Sequence, residues 1–264
     1  MHATTLALVG ATGGAGTTRT AVELATAGAR GGRDVAVIDA AYATQGLSEY
    51  VHGRIGTDLT TLLTDEAGAS LSAATYPIAL GGRSGGGGDE AGSLPGRADV
   101  IPARAPFERV ARAKTSEAAR RLERRIDEAA TAYDAVVVDA SPVASNEAVA
   151  AVTAADGVVA VRPATPHGSD ALQRLHGRIA DVGASVDATV AVSRGIGAEA
   201  DADGASADAD VTLPETDPRV TAAPVTATGD GDYSRTVADA YARLFDTTLE
   251  VDFSEEGLIE RMRT

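Results

Sequence analysis

A run of small residues, Gly10-Ala-Thr-Gly-Gly-Ala-Gly-Thr-Thr18, lies between a short apolar stretch, Leu6-Ala-Leu-Val9, and a segment of helical spacing that begins at Thr17. A strand, a glycine turn and a helix in that order build an anion site. The turn lets backbone N–H groups approach phosphate oxygens, and the helix N-terminus adds partial positive charge. Gly13, Gly14, Ala15, Gly16, Thr17 and Thr18 are therefore candidate phosphate-binding residues, and the Thr18 hydroxyl is of the type that meets Mg²⁺. Two carboxylates, Asp39 and Asp139, end two further apolar runs, Asp34-Val-Ala-Val-Ile-Asp39 and Asp134-Ala-Val-Val-Val-Asp139. Oxygen ligands of this kind suit Mg²⁺ when phosphates complete the shell, which makes Thr18 and Asp139 the candidate metal pair. The same glycines also fit a dinucleotide spacing, Gly10-x-x-Gly13-x-x-Gly16, in which Asp39 would hold a ribose hydroxyl of NAD(P).

The elements that must position these groups follow from apolar runs and helical periodicity. Strands are expected up to Gly10, over 34–39, 98–102, 133–139, 157–161 and 188–193, with a last one at 211–214. Helices are expected over 17–30, 58–64, 107–131, 146–153, 169–181 and 233–244. Within the long one, Phe107, Val110, Leu122 and Ile126 are expected on the buried side. The strands read as continuous apolar runs rather than alternating ones, the pattern of strands covered on both faces. The fold class is α/β: three layers, with a mostly parallel central sheet and helices on both faces. Ligands of such sheets bind outside the carboxyl ends of the strands, where the glycine turn, Asp39 and Asp139 all fall. One domain is expected over 1–250, interrupted by flexible loops at 81–97 and 198–210 and followed by a C-terminal tail at 251–264.

Thr12-Gly-Gly-Ala-Gly-Thr-Thr18 resembles the deviant Walker A loop of the ParA/MinD family of P-loop ATPases, Lys-Gly-Gly-x-Gly-Lys-Thr/Ser. Gly32-Arg-Asp-Val-Ala-Val-Ile-Asp-Ala40 is similar to that family's second strand, and Tyr133-Asp-Ala-Val-Val-Val-Asp-Ala-Ser-Pro142 to its Walker B strand. Ala155 to Pro163 and Leu213 to Val220 resemble later segments, so that the resemblance runs from about residue 4 to about 245. It implies ATP or ADP with Mg²⁺ as ligands, association as a homodimer or with a protein partner, and a role in spatial organisation such as cell division, partition or positioning.

The chain also departs from the pattern. The two loop lysines of the family fall on Thr12 and Thr17, its water-positioning Asp on Ala41, and its adenine-contacting Asn on Ser193. In the family one lysine binds the β- and γ-phosphates and the other reaches across a dimer. The Walker A loop is thus degenerate: losing one such cation weakens nucleotide binding on the order of 10- to 100-fold. It harms phosphoryl transfer more, because transition-state charge goes unstabilised. Arg19 lies two residues past Thr17, about 200° around a helix, and is expected to point away from the loop. The expectation is nucleotide binding with weak or absent hydrolysis. The alternatives are an active divergent ATPase that borrows an arginine, an NAD(P)-binding oxidoreductase, and a scaffold with an empty site. Short-chain dehydrogenases with similar loops use a Tyr-x-x-x-Lys pair, and the only lysine here, Lys114, has Val110 at the required position.

Composition narrows the setting. The chain of 264 residues has no cysteine, which excludes disulfides and thiolate metal sites, and it carries a formal net charge of -15. One lysine among 23 Lys plus Arg, with abundant acids, suggests the salt-rich cytoplasm of a halophilic archaeon. No apolar stretch approaches the ~20 residues that span a membrane, so a soluble, cytoplasmic protein is expected. Residues 104–125 hold eight cations against three acids, a helix face that could bind DNA or an acidic partner. The stretch Glu255 to Arg263 resembles in position the membrane-targeting helix of MinD-type proteins, but its three acids outnumber its two bases, so membrane binding is not expected. Gly82-x-Ser84-x-Gly86 matches a nucleophile elbow without the strand–turn–helix context that motif needs, and the four histidines show no metal spacing.

Overall fold

The computed structural model describes residues 4–80, 94–193 and 209–253. Its elements are β1 (Thr5–Gly10), α1 (Thr17–Arg30), β2 (Asp34–Ala40), α2 (Leu59–Thr64), β3 (Tyr76–Pro77), β4 (Arg97–Ile101), α3 (Phe107–Ala113), α4 (Ser116–Ala132), β5 (Ala135–Ala140), α5 (Asn146–Ala154), β6 (Gly157–Pro163), α6 (Pro166–Asp181), β7 (Ala188–Val192), β8 (Val211–Leu213) and α7 (Asp232–Leu244). The strands form one eight-stranded sheet in the order β3-β4-β2-β5-β1-β6-β7-β8. Every pairing is parallel except that of β3 with β4.

The central strands β1, β2 and β5 are buried on both faces except for Asp34, which is why they read as unbroken apolar runs. Alternate residues serve opposite layers. Ala7, Val9, Ala36, Ile38, Val136 and Val138 pack under α2, α4, α5 and α6, among Leu62, Leu122, Ile126, Ala151 and Leu175. Leu6, Leu8, Val35, Val37, Ala135 and Val137 pack under α1 and α7, among Ala21, Leu24, Ala25, Val237 and Tyr241. Gly28 has a packing role: a Cβ there would lie 2.7 Å from both Val35 Cγ2 and Tyr241 Cε2, so its absence lets α1 settle onto β2 and α7. β1 therefore sits at the middle of the sheet, and its carboxyl end opens at the point where connections diverge to either side.

Two expectations need correction, and one element was not foreseen. The helix expected over 107–131 is two helices, because Thr115 is extended (φ -75°, ψ 158°) and caps α4 by accepting the Ala118 N–H. Phe107 is not on a buried face; it is 88% exposed at the start of α3. The two-residue edge strand β3 went unforeseen, since Tyr76-Pro77 is too short to show periodicity. Most of the glycine-rich loop, most of the Ala/Asp loop, the Gly82–Gly86 pattern and the tail from 254 on lie outside the described residues.

The cap at Thr115 has a measurable consequence. Thr115→Ala should cost about 1 kcal/mol in urea unfolding, the usual worth of an N-cap hydroxyl, whereas Thr115→Ser should cost almost nothing. If one helix ran through this position, alanine would instead stabilise the protein, because alanine has the highest helix propensity.

Candidate functional site

The turn between β1 and α1 takes its shape from glycine. Gly14 (φ 71°) and Gly16 (φ 97°) are in the left-handed region, which side chains disfavour. Gly16 is also the N-cap of α1 and brings no side chain to cap it, so the first backbone bond of the helix runs from Thr20 N–H to the Gly16 carbonyl. The N–H groups of the first turn are left to whatever enters the turn. A cavity of about 310 Å³ lies there, lined by residues Thr12 to Arg19 of the turn and helix, with Ala41, Tyr50, Asp139 and Ser141 opposite.

Asp139, 1% exposed, ends β5 at the floor of this cavity. Thr18 Oγ1 donates to its Oδ2 at 2.6 Å, which ties the first turn of α1 to the sheet. Asp39 lies beside Asp139 in the register of β2 and β5. It is fully buried, does not line the cavity, and accepts from the Ala41 N–H at 2.9 Å and the Ala103 N–H at 3.2 Å. Burial raises both carboxyls above their usual range. The charge of Asp139 raises Asp39 further, whereas the Thr18 hydroxyl holds Asp139 down. Gly13, Gly14, Ala15, Gly16, Thr17, Thr18 and Asp139 are therefore gathered at one cavity, and Asp39 stands behind it.

The donor set fits Mg²⁺. A hydroxyl and a carboxylate stand 2.6 Å apart at a cavity able to take phosphates, which would complete an octahedral shell. No group of three or more His, Cys, Asp or Glu side chains able to hold a metal occurs among the described residues, so an all-protein cage is not on offer there.

A second cavity of about 530 Å³ adjoins the first through Gly14, Gly16 and Arg19 and is lined further by Ser193, Glu215, Asp217, Pro218 and Tyr233. Arg19 lines both cavities, while its guanidinium reaches along α1 away from the loop, as expected. The reason is Glu23, fully buried one helical turn later, which accepts Arg19 Nε at 2.7 Å. Glu23 also accepts the backbone N–H groups of Val225 and Thr226 and the Thr226 hydroxyl. Arg19 Nη1 donates to the carbonyls of Asp217 and Arg219. A charged residue within the apolar run Ala21-Val-Glu-Leu-Ala25 was the available signal; its partners, some 200 residues away, were not.

The basic segment is less open than expected. Arg109 pairs with Asp58 and Asp65, Arg112 with Asp65, Lys114 with Glu147, Arg121 with Glu117 and Arg125 with Glu128. Only Arg104, Arg120 and Arg124 of the eight cations make no ion pair among the described residues. The sole lysine is thus committed to α5, and the segment fastens α2, α3, α4 and α5 together. No helix among the described residues is long and apolar enough to cross a membrane.

No sequence-family model and no curated protein sequence matches the chain. Solved structures do match it in fold. The septum site-determining protein MinD of Pyrococcus horikoshii, complexed with Mg-ADP, is 17% identical with a TM-score of 0.71 over 91% of this chain and 95% of that one. A variant of Cyanothece McdA in complex with ATP is 16% identical, with a TM-score of 0.67 over 95% and 99%. The MinC:MinD cell division complex of Aquifex aeolicus gives 19% identity and a TM-score of 0.67 over 94% and 98%. At such identities the likeness is one of fold, and it bears out the three-layer α/β P-loop architecture.

The paired acids set a pH dependence. Between about pH 4, where an unfolded Asp titrates, and about 8, where Asp39 does, the folded chain holds protons that the unfolded chain has lost. Stability without divalent cation should therefore fall as pH rises through that window. Asp139→Asn removes the neighbouring charge and should flatten the fall in urea unfolding across the pH series. An unchanged slope would show that the pair is not the cause.

Proposed function

We propose that the chain is a nucleotide-binding protein of the ParA/MinD type. It holds ATP or ADP with Mg²⁺ in the β1–α1 turn and takes part in spatial organisation (cell division, partition or the positioning of a structure) by associating with a second copy or a protein partner. The observation that carries this reading is the Thr18–Asp139 contact at 2.6 Å under an open glycine turn, a hydroxyl and a carboxylate set for a phosphate-bound Mg²⁺. The Mg-ADP, ATP and MinC complexes of proteins with the same fold support the ligand and the mode of action.

Hydrolysis is weak or absent in this reading. Thr12, Thr17 and Ala41 line the cavity where the resembling family has two lysines and an aspartate, so the transferring phosphoryl group would meet little positive charge. The divergent-ATPase reading keeps one support, the presence of Arg19 at the cavity. The oxidoreductase reading loses its ribose ligand, since Asp39 is fully buried with both oxygens bonded to backbone N–H groups.

Calorimetry with ATP, ADP, NAD and NADP in the presence of Mg²⁺ tests the reading. ATP and ADP should bind, NAD and NADP should not, and Asp139→Asn should remove the Mg²⁺-dependent part of the affinity. Binding of NAD(P) alone, or of no nucleotide, would overturn it.

A further inference from the structure

At the end of the sheet away from the glycine turn, the amino ends of the central strands border a separate cavity of about 290 Å³. Arg33 and Asp134, the residues just before β2 and β5, line it with opposite charges, and Tyr241 and Phe245 at the end of α7 form an aromatic wall. That wall is held in place. The two ring centroids are 4.6 Å apart, and the Tyr241 ring fills the space that a Cβ on Gly28 would need. The charged residues have fixed backbones and uncommitted side-chain atoms. The Arg33 N–H donates to the Gly28 carbonyl at 2.9 Å, and the Arg33 carbonyl accepts the Arg97 N–H at 3.1 Å. The Arg33 guanidinium makes no ion pair or hydrogen bond among the described residues; the adjacent carboxylate, Asp34, pairs with Arg97 instead. Asp134 Oδ2 accepts the Asp34 N–H at 2.9 Å, which aims the carboxylate and leaves Oδ1 without a partner among the described residues.

Arg33 and Asp134 do not pair with each other, yet both act on the Tyr241 hydroxyl. Burial lifts that hydroxyl to about 12, the Arg33 charge pulls it down and the Asp134 charge pushes it up. It makes no hydrogen bond among the described residues and, unlike the Tyr42 hydroxyl, it is not sealed from the surface. Such a set selects by charge. An anion that approaches Arg33 meets the field of Asp134, and a cation that approaches Asp134 meets that of Arg33. A molecule that carries both charges satisfies both residues at once, with guanidinium N–H groups donating to its carboxylate and Asp134 accepting from its ammonium group. The aromatic wall offers the ammonium a further attraction. The volume, at the lower edge of ligand sites, limits the molecule to amino-acid size.

We propose that this cavity binds a small zwitterion of the amino-acid type, with Arg33 on its carboxylate, Asp134 on its ammonium group and the Tyr241 hydroxyl as a neutral donor and acceptor beside both. The site lies at the opposite end of β1 from the glycine turn, so the proposal stands independently of the nucleotide reading.

The test uses the full chain, with unfolding midpoints measured in parallel. The probes are glycine, β-alanine and γ-aminobutyrate, which hold the same two charges at growing separations, with acetate and methylammonium as the isolated halves. Binding is read by calorimetry and saturation-transfer NMR. At least one zwitterion should bind about 10-fold or more tighter than either half, the equivalent of one added charge-assisted bond. Arg33→Gln and Asp134→Asn should each remove that advantage, in opposite senses: the first leaves methylammonium as the better-bound half, the second acetate. Asparagine keeps an acceptor for the Asp34 N–H, so the second variant retains its backbone tie. Tyr241→Phe, which keeps the ring, should weaken the zwitterion about 5-fold, the equivalent of a neutral hydrogen bond. Halves that bind as tightly as the whole overturn the proposal. So does the absence of saturable zwitterion binding below about 10 mM, or unchanged affinity in folded Arg33→Gln and Asp134→Asn proteins. If a variant does not fold, the comparison of the whole with its halves on the unaltered chain decides.

Discussion

The hydrogen bond from Thr18 Oγ1 to Asp139 Oδ2 joins residues 121 apart in sequence, and the geometry of the site follows from it. It sets the first turn of α1 against the carboxyl end of β5, so the glycine turn that leads into the helix must arch over the sheet edge. Such an arch needs left-handed backbone at Gly14 and Gly16, which explains glycine at those two positions. The same bond also decides the electrostatics. Asp139 and its neighbour Asp39 are both buried, and the hydroxyl is the partner that favours charge on Asp139. Asp39 keeps its two backbone donors but feels burial and the second carboxylate, so the pair favours a bound proton or a bound cation.

A P-loop normally answers that excess of negative charge with lysine. Here Thr12 and Thr17 occupy those positions, and the only lysine is spent on Glu147 at the far end of α3. The chain puts an arginine at the cavity by another route. Glu23 anchors Arg19 from within the helix and, with Val225 and Thr226, binds the segment before α7 to α1. One buried carboxylate thereby shapes both the wall of the second cavity and the direction of the one cation lining the first. The cavity is thus lined by the backbone of a glycine turn, the Thr18–Asp139 oxygen pair and one arginine committed to Glu23.

The strands were legible because a sheet covered on both faces needs residues that are apolar at every position, as in Val35-Ala-Val-Ile38 and Ala135-Val-Val-Val138. The glycine turn and the bounds of α1 were legible because they depend on local backbone chemistry. The break between α3 and α4 was also local, at Thr115, yet helical spacing on both sides hid it, and Phe107 was misread as core for the same reason. The partners that hold Arg19, a carboxylate four residues on and two distant carbonyls, were not legible from helical angle alone. The burial of Asp39 behind Asp139, rather than beside a ligand, depends on the pairing of β2 with β5, which no single segment reveals.

The central claim is a phosphate site that retains nucleotide without turning it over. It is tested most directly by loading the protein with labelled ATP and Mg²⁺, isolating the complex by gel filtration and following the label with time. The account predicts that ATP travels with the protein and is recovered intact, with conversion slower than about 0.01 per second, near the rate of a GTPase that has its arginine in place. Conversion of the bound ATP to ADP and phosphate above that rate, or a complex that carries no nucleotide, would contradict it.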